Sequence, residues 1–452
     1  MTLLNELSAE VCQRARMSRD PRFDGRFFVA VKTTGIFCRP ICPANLPKEE
    51  NVEYFSSQAL AVSAGYRPCL RCRPESAPHS WAWKGAETTF LRALTLIEQG
   101  ELDGSLETLA SRLGISDRYL RQLFQRHLGM PPKQYAQIQQ LMFAKQLLHT
   151  SQISITEVAY ASGFQSTRRF NDAFQKLFRL TPTQVRRERA ALPSRNHLSL
   201  AFRGPFDWAH MLDFYRLRAI EGMELVDEQS YQRHFVLGEG TGWFKASMAQ
   251  SHLDIEFEME RLSDLRHLVA RLRRMFDLDA DLISIEAHLE QLAPGLVRRT
   301  GIRIPGVWNA WEAGVRAVLG QQVSVKAAIG QLNLLVSTLA ASEGSTRYFP
   351  TPEQVQMSDL SFLRMPERRK ETLKRLADYV RLHPMDSPMA WLSLSGIGPW
   401  TVDYAQLRGE SRSHYFLTGD LIVKKALAKF PQLTAESVAP WGSYATFHCW
   451  SH

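Results

Sequence analysis

Four cysteines near the N-terminus, Cys38, Cys42, Cys69 and Cys72, constrain this 452-residue chain more than any other feature. They fall as Cys-x3-Cys, a gap of 26 residues, then Cys-x2-Cys. Two closely spaced pairs of this kind are the sequence form of a site for one Zn2+ bound by four cysteines. Only Cys12 and Cys449 lie outside the set, so the clustering is not a by-product of abundant cysteine. Zinc holds sulfur as thiolate, which is a nucleophile as well as a ligand. The spacing therefore leaves two roles open, a staple for a small domain or a reactive centre.

A chain of this length exceeds one ordinary core, so about two to four domains are expected. A hydrophobic content of 44% with 22% charged residues is that of a globular protein rather than a disordered one. No apolar run reaches the roughly 18 residues of a membrane span. The N-terminus lacks the basic and apolar regions of a secretory signal. With so few cysteines, these features predict a cytoplasmic protein without a disulfide scaffold or a membrane partner. The net charge of +9 is unevenly placed: residues 1–190 carry 26 Lys+Arg against 17 Asp+Glu, and residues 191–452 carry 29 of each. All the excess positive charge sits on the first half, the footprint of a nucleic-acid-binding region.

The patterning predicts a multidomain α+β protein. Residues 1–75 hold the cysteines and short mixed segments, a small four-cysteine zinc domain. The Pro- and Ser-rich stretch 73–85 reads as a linker. Residues 86–191 are helical throughout, with apolar residues at three- and four-residue spacing. Residues 197–282 form an α+β subdomain, with strands at Tyr231–Gly238 and Leu253–Met259. Residues 283–452 are mostly helical.

Within 86–191 the segment SLETLASRLGISDRYLRQLFQRHLGMPP (105–132) matches SITEVAYASGFQSTRRFNDAFQKLFRLTP (154–182). Each copy reads as a Ser N-cap, a short helix, a glycine turn (Gly114, Gly163) and a second amphipathic helix. Two such copies joined by one helix resemble the tandem helix-turn-helix DNA-binding domain of the AraC family. The recognition helices would be Ser116–Arg126 and Gln165–Leu177. Their polar faces carry Arg118, Arg121 and Gln122, and Arg168, Arg169 and Asn171, residue types that pair with guanine and adenine edges. Phe124, Phe170, Phe174 and Phe178 fall on the core face.

Around the cysteines the chain reads FFVAVKTTGIFCRPICPA and GYRPCLRCRPE. This resembles the N-terminal domain of the Ada adaptive-response family over about residues 10–75. The resemblance implies that Cys38 accepts a methyl group from a methylphosphotriester in the DNA backbone, once per molecule. Arg39, Arg67, Arg71 and Arg73 flank the sulfurs and could grip the backbone. Methylating one of four thiolates removes a negative charge facing the phosphates, so DNA affinity should rise and couple repair to transcription. The family's second acceptor sits in a Pro-Cys-His-Arg motif. None occurs here, and Cys449 lies in FHCW, so that activity is expected to be absent.

In the second half, residues 394–402 read LSGIGPWTV, a glycine turn between helical segments. Glycines there let a phosphate approach the backbone, and the following helix N-terminus favours an anion. Asp420 follows downstream, at the start of LIVKKAL. With AVLGQQVSV (317–325) and FRGPFDWAHMLDFYRLRAIEG (202–222), this resembles the helix-hairpin-helix superfamily, specifically the AlkA type of 3-methyladenine DNA glycosylase (DNA-3-methyladenine glycosylase II).

That resemblance implies an all-α helix-hairpin-helix domain in 283–452, with Asp420 stabilising an oxocarbenium-like sugar. Trp400, Tyr404 and Trp441 would line a pocket for cationic alkylated purines. Gln322 would wedge into the duplex, and Gly396, Gly398 and Thr401 would hold a phosphate. Trp400 stands where strand-cleaving members carry lysine, which implies base excision alone. Leu421 replaces the family's frequent tyrosine. Trp208, Trp308 and Trp311 are expected in cores.

The expected partners are double-stranded DNA, as lesion and as promoter, and possible contact with RNA polymerase, for a protein acting as a monomer. The alternative is a methylation-sensing regulator whose second half only binds DNA.

Overall fold

The computed structural model describes residues 8–19, 23–24, 26–56, 58–69, 71–72, 74, 81–98, 102, 105–186, 196–339, 342–343, 346–384 and 386–451. It divides into two compact units, Met1–Gln139 and Gln140–His452.

The first unit opens with helix α1 (Ala9–Met17), strands β1 (Phe28–Val31), β2 (Ile36–Cys38) and β3 (Val52–Phe55), helix α2 (Gln58–Ser63) and strand β4 (Arg67–Pro68). The sheet order is β3-β1-β2-β4, with β2 and β4 parallel and the other pairs antiparallel. Side chains of β1 alternate between two small cores, as a strand's two-residue period requires. Val29 packs with Cys12, Ala15 and Phe27, while Phe28 and Ala30 pack with Phe37 and Ala61.

Helix α3 (Trp81–Glu98) follows, and it starts inside the stretch that the sequence marks as a linker. The prolines of that stretch end at Pro78, and after them only Gly85 weighs against a helix, by about 1 kcal/mol. Helices α4 (Leu106–Arg112) and α5 (Asp117–Leu128) form the first helix-turn-helix. Ser105 and Ser116 cap them, and Gly114 takes the turn at φ +68°.

The boundary between units falls inside α6 (Pro132–Thr150), the helix that joins the two repeats. The second repeat therefore belongs to the second unit. It comprises α7 (Ile155–Ala161), α8 (Thr167–Phe178) and α9 (Pro182–Arg186), with a capping box between Ser154 and Glu157 and a turn at Gly163, φ +85°. One buried cluster runs from Leu147, Val158, Phe170 and Phe174 into Leu198, Phe244 and Leu268. The second repeat thus shares a core with the sheet that follows.

That sheet is antiparallel, with β5 (His197–Ala201), β6 (Glu224–Val226), β7 (Ser230–Leu237), β8 (Gly240–Met248) and β9 (His252–Met259) in the order β5-β9-β8-β7-β6. Strand β8 was not legible in sequence because its burial does not alternate cleanly and it holds glycine at 240 and 242. Gly242 is required there, since a Cβ would strike the Glu258 carbonyl. Helices α10 (Trp208–Arg216) and α11 (Leu265–Met275) accompany the sheet. Trp208, Trp308 and Trp311 are buried, and each indole N–H donates to a backbone carbonyl, of Gln229, Val236 and Pro350.

The rest is helical, α12 (Leu282–Leu292), α13 (Ala310–Leu319), α14 (Val325–Leu339), α15 (Pro352–Met357), α16 (Glu367–Leu382), α17 (Pro399–Tyr404), α18 (Leu421–Leu427) and α19 (Gly442–Trp450), except for a short antiparallel pair between α14 and α15, β10 (Ser342–Glu343) with β11 (Thr346–Arg347), that the all-α expectation for this region did not include. Helix α17 runs on into a π-helical turn, Ala405–Gly409. A buried ion-pair group joins sheet and helices: Arg233 contacts Glu312 at 2.5 Å and Glu224 at 2.7 Å, and Arg316 contacts Glu312 at 2.9 Å.

Candidate metal centre and aromatic pocket

The parallel pairing of β2 with β4 assembles the cysteine set. Ile36 lies opposite Arg67 and Phe37 opposite Pro68, so Cys38 and Cys69 leave adjacent strand ends together. The Cys69 N–H donates to the Phe37 carbonyl at 2.9 Å, and the turn after Cys38 closes with the Cys42 N–H on Arg39 O at 3.1 Å. All four sulfurs lie within 4.8 Å of one another. A tetrahedral site with Zn–S bonds of about 2.3 Å needs sulfurs about 3.8 Å apart, so the set fits one Zn2+. With no cation among them, the sulfurs share protons. The hydrogen bond to Cys72 pushes Cys38 far up, while the same bond pulls Cys72 down to about 6. Four thiolates this close need a cation among them.

The flanking arginines differ. The Arg39 guanidinium is committed to the buried Asp24 and donates to Cys72 O at 3.3 Å, and its backbone N–H points at Cys72 Sγ at 3.3 Å. It braces the site rather than facing outward. Arg67 and Arg71 are exposed, and Arg73 lies outside the described residues. Cys12 is buried in its own core, and Cys449 is buried in the second unit, where burial pushes its thiol up to about 12.

On α5, Arg118, Arg121 and Gln122 are exposed opposite buried Leu120, Leu123 and Phe124, and Arg121 pairs with Asp117 at 3.0 Å. On α8, Arg168, Arg169 and Asn171 are exposed opposite buried Phe170 and Phe174, with Phe178 half-buried.

Asp420 caps α18. Its Oδ1 accepts from Ile422 N at 2.8 Å, Val423 N at 3.2 Å and Trp450 Nε1 at 3.1 Å. Among the described residues nothing donates to Oδ2. The carboxylate stands where two cavities meet. One, of about 530 Å³, is lined by Phe214, Trp400, Tyr404, Phe447 and Trp450, with Arg218, Arg316 and Ile422. The other is an open groove of about 1000 Å³ bounded by Gln321–Ser324, Arg368, Arg369, Gly396, Gly398, Trp400 and Leu421.

The aromatic wall is built by packing. Trp400 stacks on Tyr404 at 5.3 Å between centroids, and Phe214 on Trp450 at 6.2 Å. Arg408, in the π-turn, is buried, donates to Pro305 O, holds the Tyr404 hydroxyl at 2.9 Å and lies 4.7 Å over Phe214. Arg218 stacks on Phe214 at 3.7 Å, and burial pushes it down to about 10, still protonated at neutral pH.

Trp441 is placed elsewhere than the resemblance implies: it packs on His288 at 4.9 Å, outside the pocket lining. Thr401 is buried at the floor of the groove, its hydroxyl accepting from Gln321 Nε2 at 3.3 Å. Gly396 turns the hairpin at φ +93°, and Gly398 is the N-cap of α17. Gln322 is exposed at φ +56°, a left-handed conformation that costs a non-glycine residue about 1–3 kcal/mol. Sequence reasoning missed Phe214, Arg218 and Trp450 as pocket residues. Their only signal was membership of matched or aromatic segments, since they lie 30 or more residues from Asp420.

Three family descriptions match along the chain: the metal binding domain of Ada at residues 11–75, a helix-turn-helix domain at 109–188 and the AlkA N-terminal domain at 197–309. A probable bifunctional transcriptional activator/DNA repair enzyme AlkA from Mycobacterium tuberculosis is 34% identical, over 98% of this chain and 96% of that protein. The chain belongs to this bifunctional AlkA family. Its second half is similar to DNA-3-methyladenine glycosylase 2 of Escherichia coli, 33% identical over 56% of this chain and 96% of the relative. Its first half is similar to the bifunctional transcriptional activator/DNA repair enzyme Ada of Escherichia coli, 35% identical over 38% of this chain and 47% of the relative. Among the described residues, no helix is long and apolar enough to cross a membrane.

Proposed function

We propose that this bifunctional AlkA-family chain excises alkylated purines such as 3-methyladenine from duplex DNA and separately takes up a methyl group from DNA methylphosphotriesters at Cys38. The observation that carries the first activity is Asp420, with three donors on Oδ1 and Oδ2 unbonded, at the junction of the aromatic pocket and the hairpin groove. The donors fix the orientation of the carboxylate. A base flipped into the pocket stacks on Trp400 and Trp450, which favours a cationic alkylated purine. As the bond from C1′ to the base nitrogen breaks, its electron pair leaves with the base and neutralises it. Asp420 faces the charge that develops on the sugar, and the oxygen of water bonds to C1′ as its proton passes to Asp420 Oδ2. No lysine lines the pocket among the described residues, in keeping with base release without lysine-dependent strand cleavage.

For the second activity, Cys38, Cys42, Cys69 and Cys72 would hold Zn2+, which keeps their sulfurs as thiolates at neutral pH. Cys38 Sγ forms a bond to the methyl carbon while the methyl–oxygen bond breaks, and the electron pair stays on the phosphate as a diester anion. The thioether is not turned over. Loss of one negative charge strengthens DNA binding, and the tandem helix-turn-helix converts it into promoter activation through contact with RNA polymerase. We place the protein in the cytoplasm as a monomer. The domain limits proposed are 1–75, 86–191, 197–282 and 283–452.

The test of excision is release of methylated purines from duplex DNA by the intact chain and by Asp420→Asn. Equal release by both proteins would remove Asp420 from the reaction. No release by either would leave the second half as a DNA-binding module.

A further inference from the structure

The second half of the chain carries no net charge, yet it has to hold a polyanion. Its charge is not evenly spread. The groove beside Asp420 has Arg368 and Arg369 on its wall, and Asp420 is its one acidic lining residue among those described. Among the described residues neither arginine has a carboxylate partner, although neighbours on the same helix do: Glu367 takes Lys370 at 3.4 Å, and Glu371 takes Arg375 at 2.7 Å. Both unpaired cations sit in the first turn of α16, where the helix dipole disfavours positive charge. Stability alone does not account for them.

The wall that carries them is braced against the hairpin. Arg375 Nη1 donates to Ser395 O at 3.1 Å, and Thr372 packs so tightly on Gly396 that a Cβ at 396 would strike its hydroxyl. The two arginines therefore keep a fixed position relative to the glycine turn and to Asp420.

We propose that Arg368 and Arg369 grip the phosphate backbone of duplex DNA across the groove from Asp420, supplying locally the positive charge that the composition of this half conceals. The proposal rests on the reading of this half as a DNA enzyme. Phosphate contacts position a duplex without reading its sequence. Each one neutralised by a cation releases counterion, with a slope of about 0.9 in log affinity per log salt.

The test uses the full chain with Arg368→Ala and Arg369→Ala combined. Two readouts are taken against salt: kcat/KM for base release from alkylated duplex, and direct binding to lesion-free duplex. The expected result is a salt slope shallower by about 1.8 in both, from two lost phosphate contacts. KM should rise while kcat stays within about twofold, and the Arg368→Lys, Arg369→Lys protein should keep the slope. Unchanged slopes with a folded variant overturn the grip. Should the Ala variant fail to fold, the Arg→Gln pair replaces it, and a slope equal to that of the parent has the same meaning. Absence of base release by the parent chain contradicts the excision reading, and the binding slope then still decides the grip.

Discussion

The two candidate reactive sites are assembled in opposite ways. The cysteine set is confined to residues 38–72 and is closed by one parallel strand pair. The pocket around Asp420 draws on Phe214 on α10 and Arg218 just after it, Trp400 and Tyr404 on α17, Asp420 before α18 and Trp450 at the end of α19. A local site fails when one of its own residues is removed. A dispersed site also fails when the packing that presents its residues is disturbed, and it tolerates loss of residues that only resemble its members.

The largest effect is expected in the local site. Cys69→Ala removes one of four ligands from a set whose bound zinc contributes on the order of 10 kcal/mol to folding. Zinc content by metal analysis should fall to zero and the N-terminal domain should unfold, while base release persists. Loss of base release as well would show that the sites are not separately assembled.

In the pocket, Trp450→Phe keeps a ring but deletes the N–H on Asp420 Oδ1. A hydrogen bond to a charged group is worth about 1.5–3 kcal/mol, so single-turnover base release should fall about tenfold or more. An unchanged rate would mean that Asp420 is held well enough by Ile422 and Val423.

A subtler effect comes from Asp277, buried behind the same helix. Its Oδ2 accepts from Tyr444 Oη at 2.9 Å and Ile304 N at 3.2 Å, tying α19 to the end of α11. Burial pushes its carboxyl up to about 7. The folded chain therefore holds a proton there that the unfolded chain releases near pH 4. Stability from this group is complete below the unfolded value and is lost as pH rises through about 7, with a slope of up to about 1.4 kcal/mol per pH unit. Asp277→Asn should flatten the dependence of unfolding free energy on pH between about 4 and 7 in denaturant titrations. An unaltered profile would place the titration elsewhere.

The smallest effect is expected at Trp441, which packs on His288 instead of lining the pocket. Trp441→Phe should leave the rate of base release within about twofold, since it touches neither base nor carboxylate. A tenfold loss would restore it to the pocket.

This contrast also explains what was legible in the chain. Cysteine spacing, serine caps and glycine turns act within a few residues, so the metal set and both helix-turn-helix repeats could be read directly. Gly396 and Asp420 were legible because their roles need a particular residue type at a turn or a helix start. Trp441 and Trp450 both stand near the C-terminus among aromatics, and only the packing of α19 decides which reaches Asp420. Thr401 reads as a phosphate contact, yet Gln321, 80 residues upstream, claims its hydroxyl. The basic wall of α16 was hidden by a composition that averages to zero.

The central claim is that one chain carries two separate chemical centres. It is tested most directly by incubating methylated duplex DNA with the intact chain, Cys38→Ala and Asp420→Asn, and measuring both protein mass and released bases in each sample. The account predicts that the intact chain gains one methyl and releases methylated purines. Cys38→Ala should lose only the methyl gain, and Asp420→Asn should slow base release by about 100-fold or more while still gaining the methyl. Base release surviving in Asp420→Asn, or one substitution abolishing both products, would contradict it.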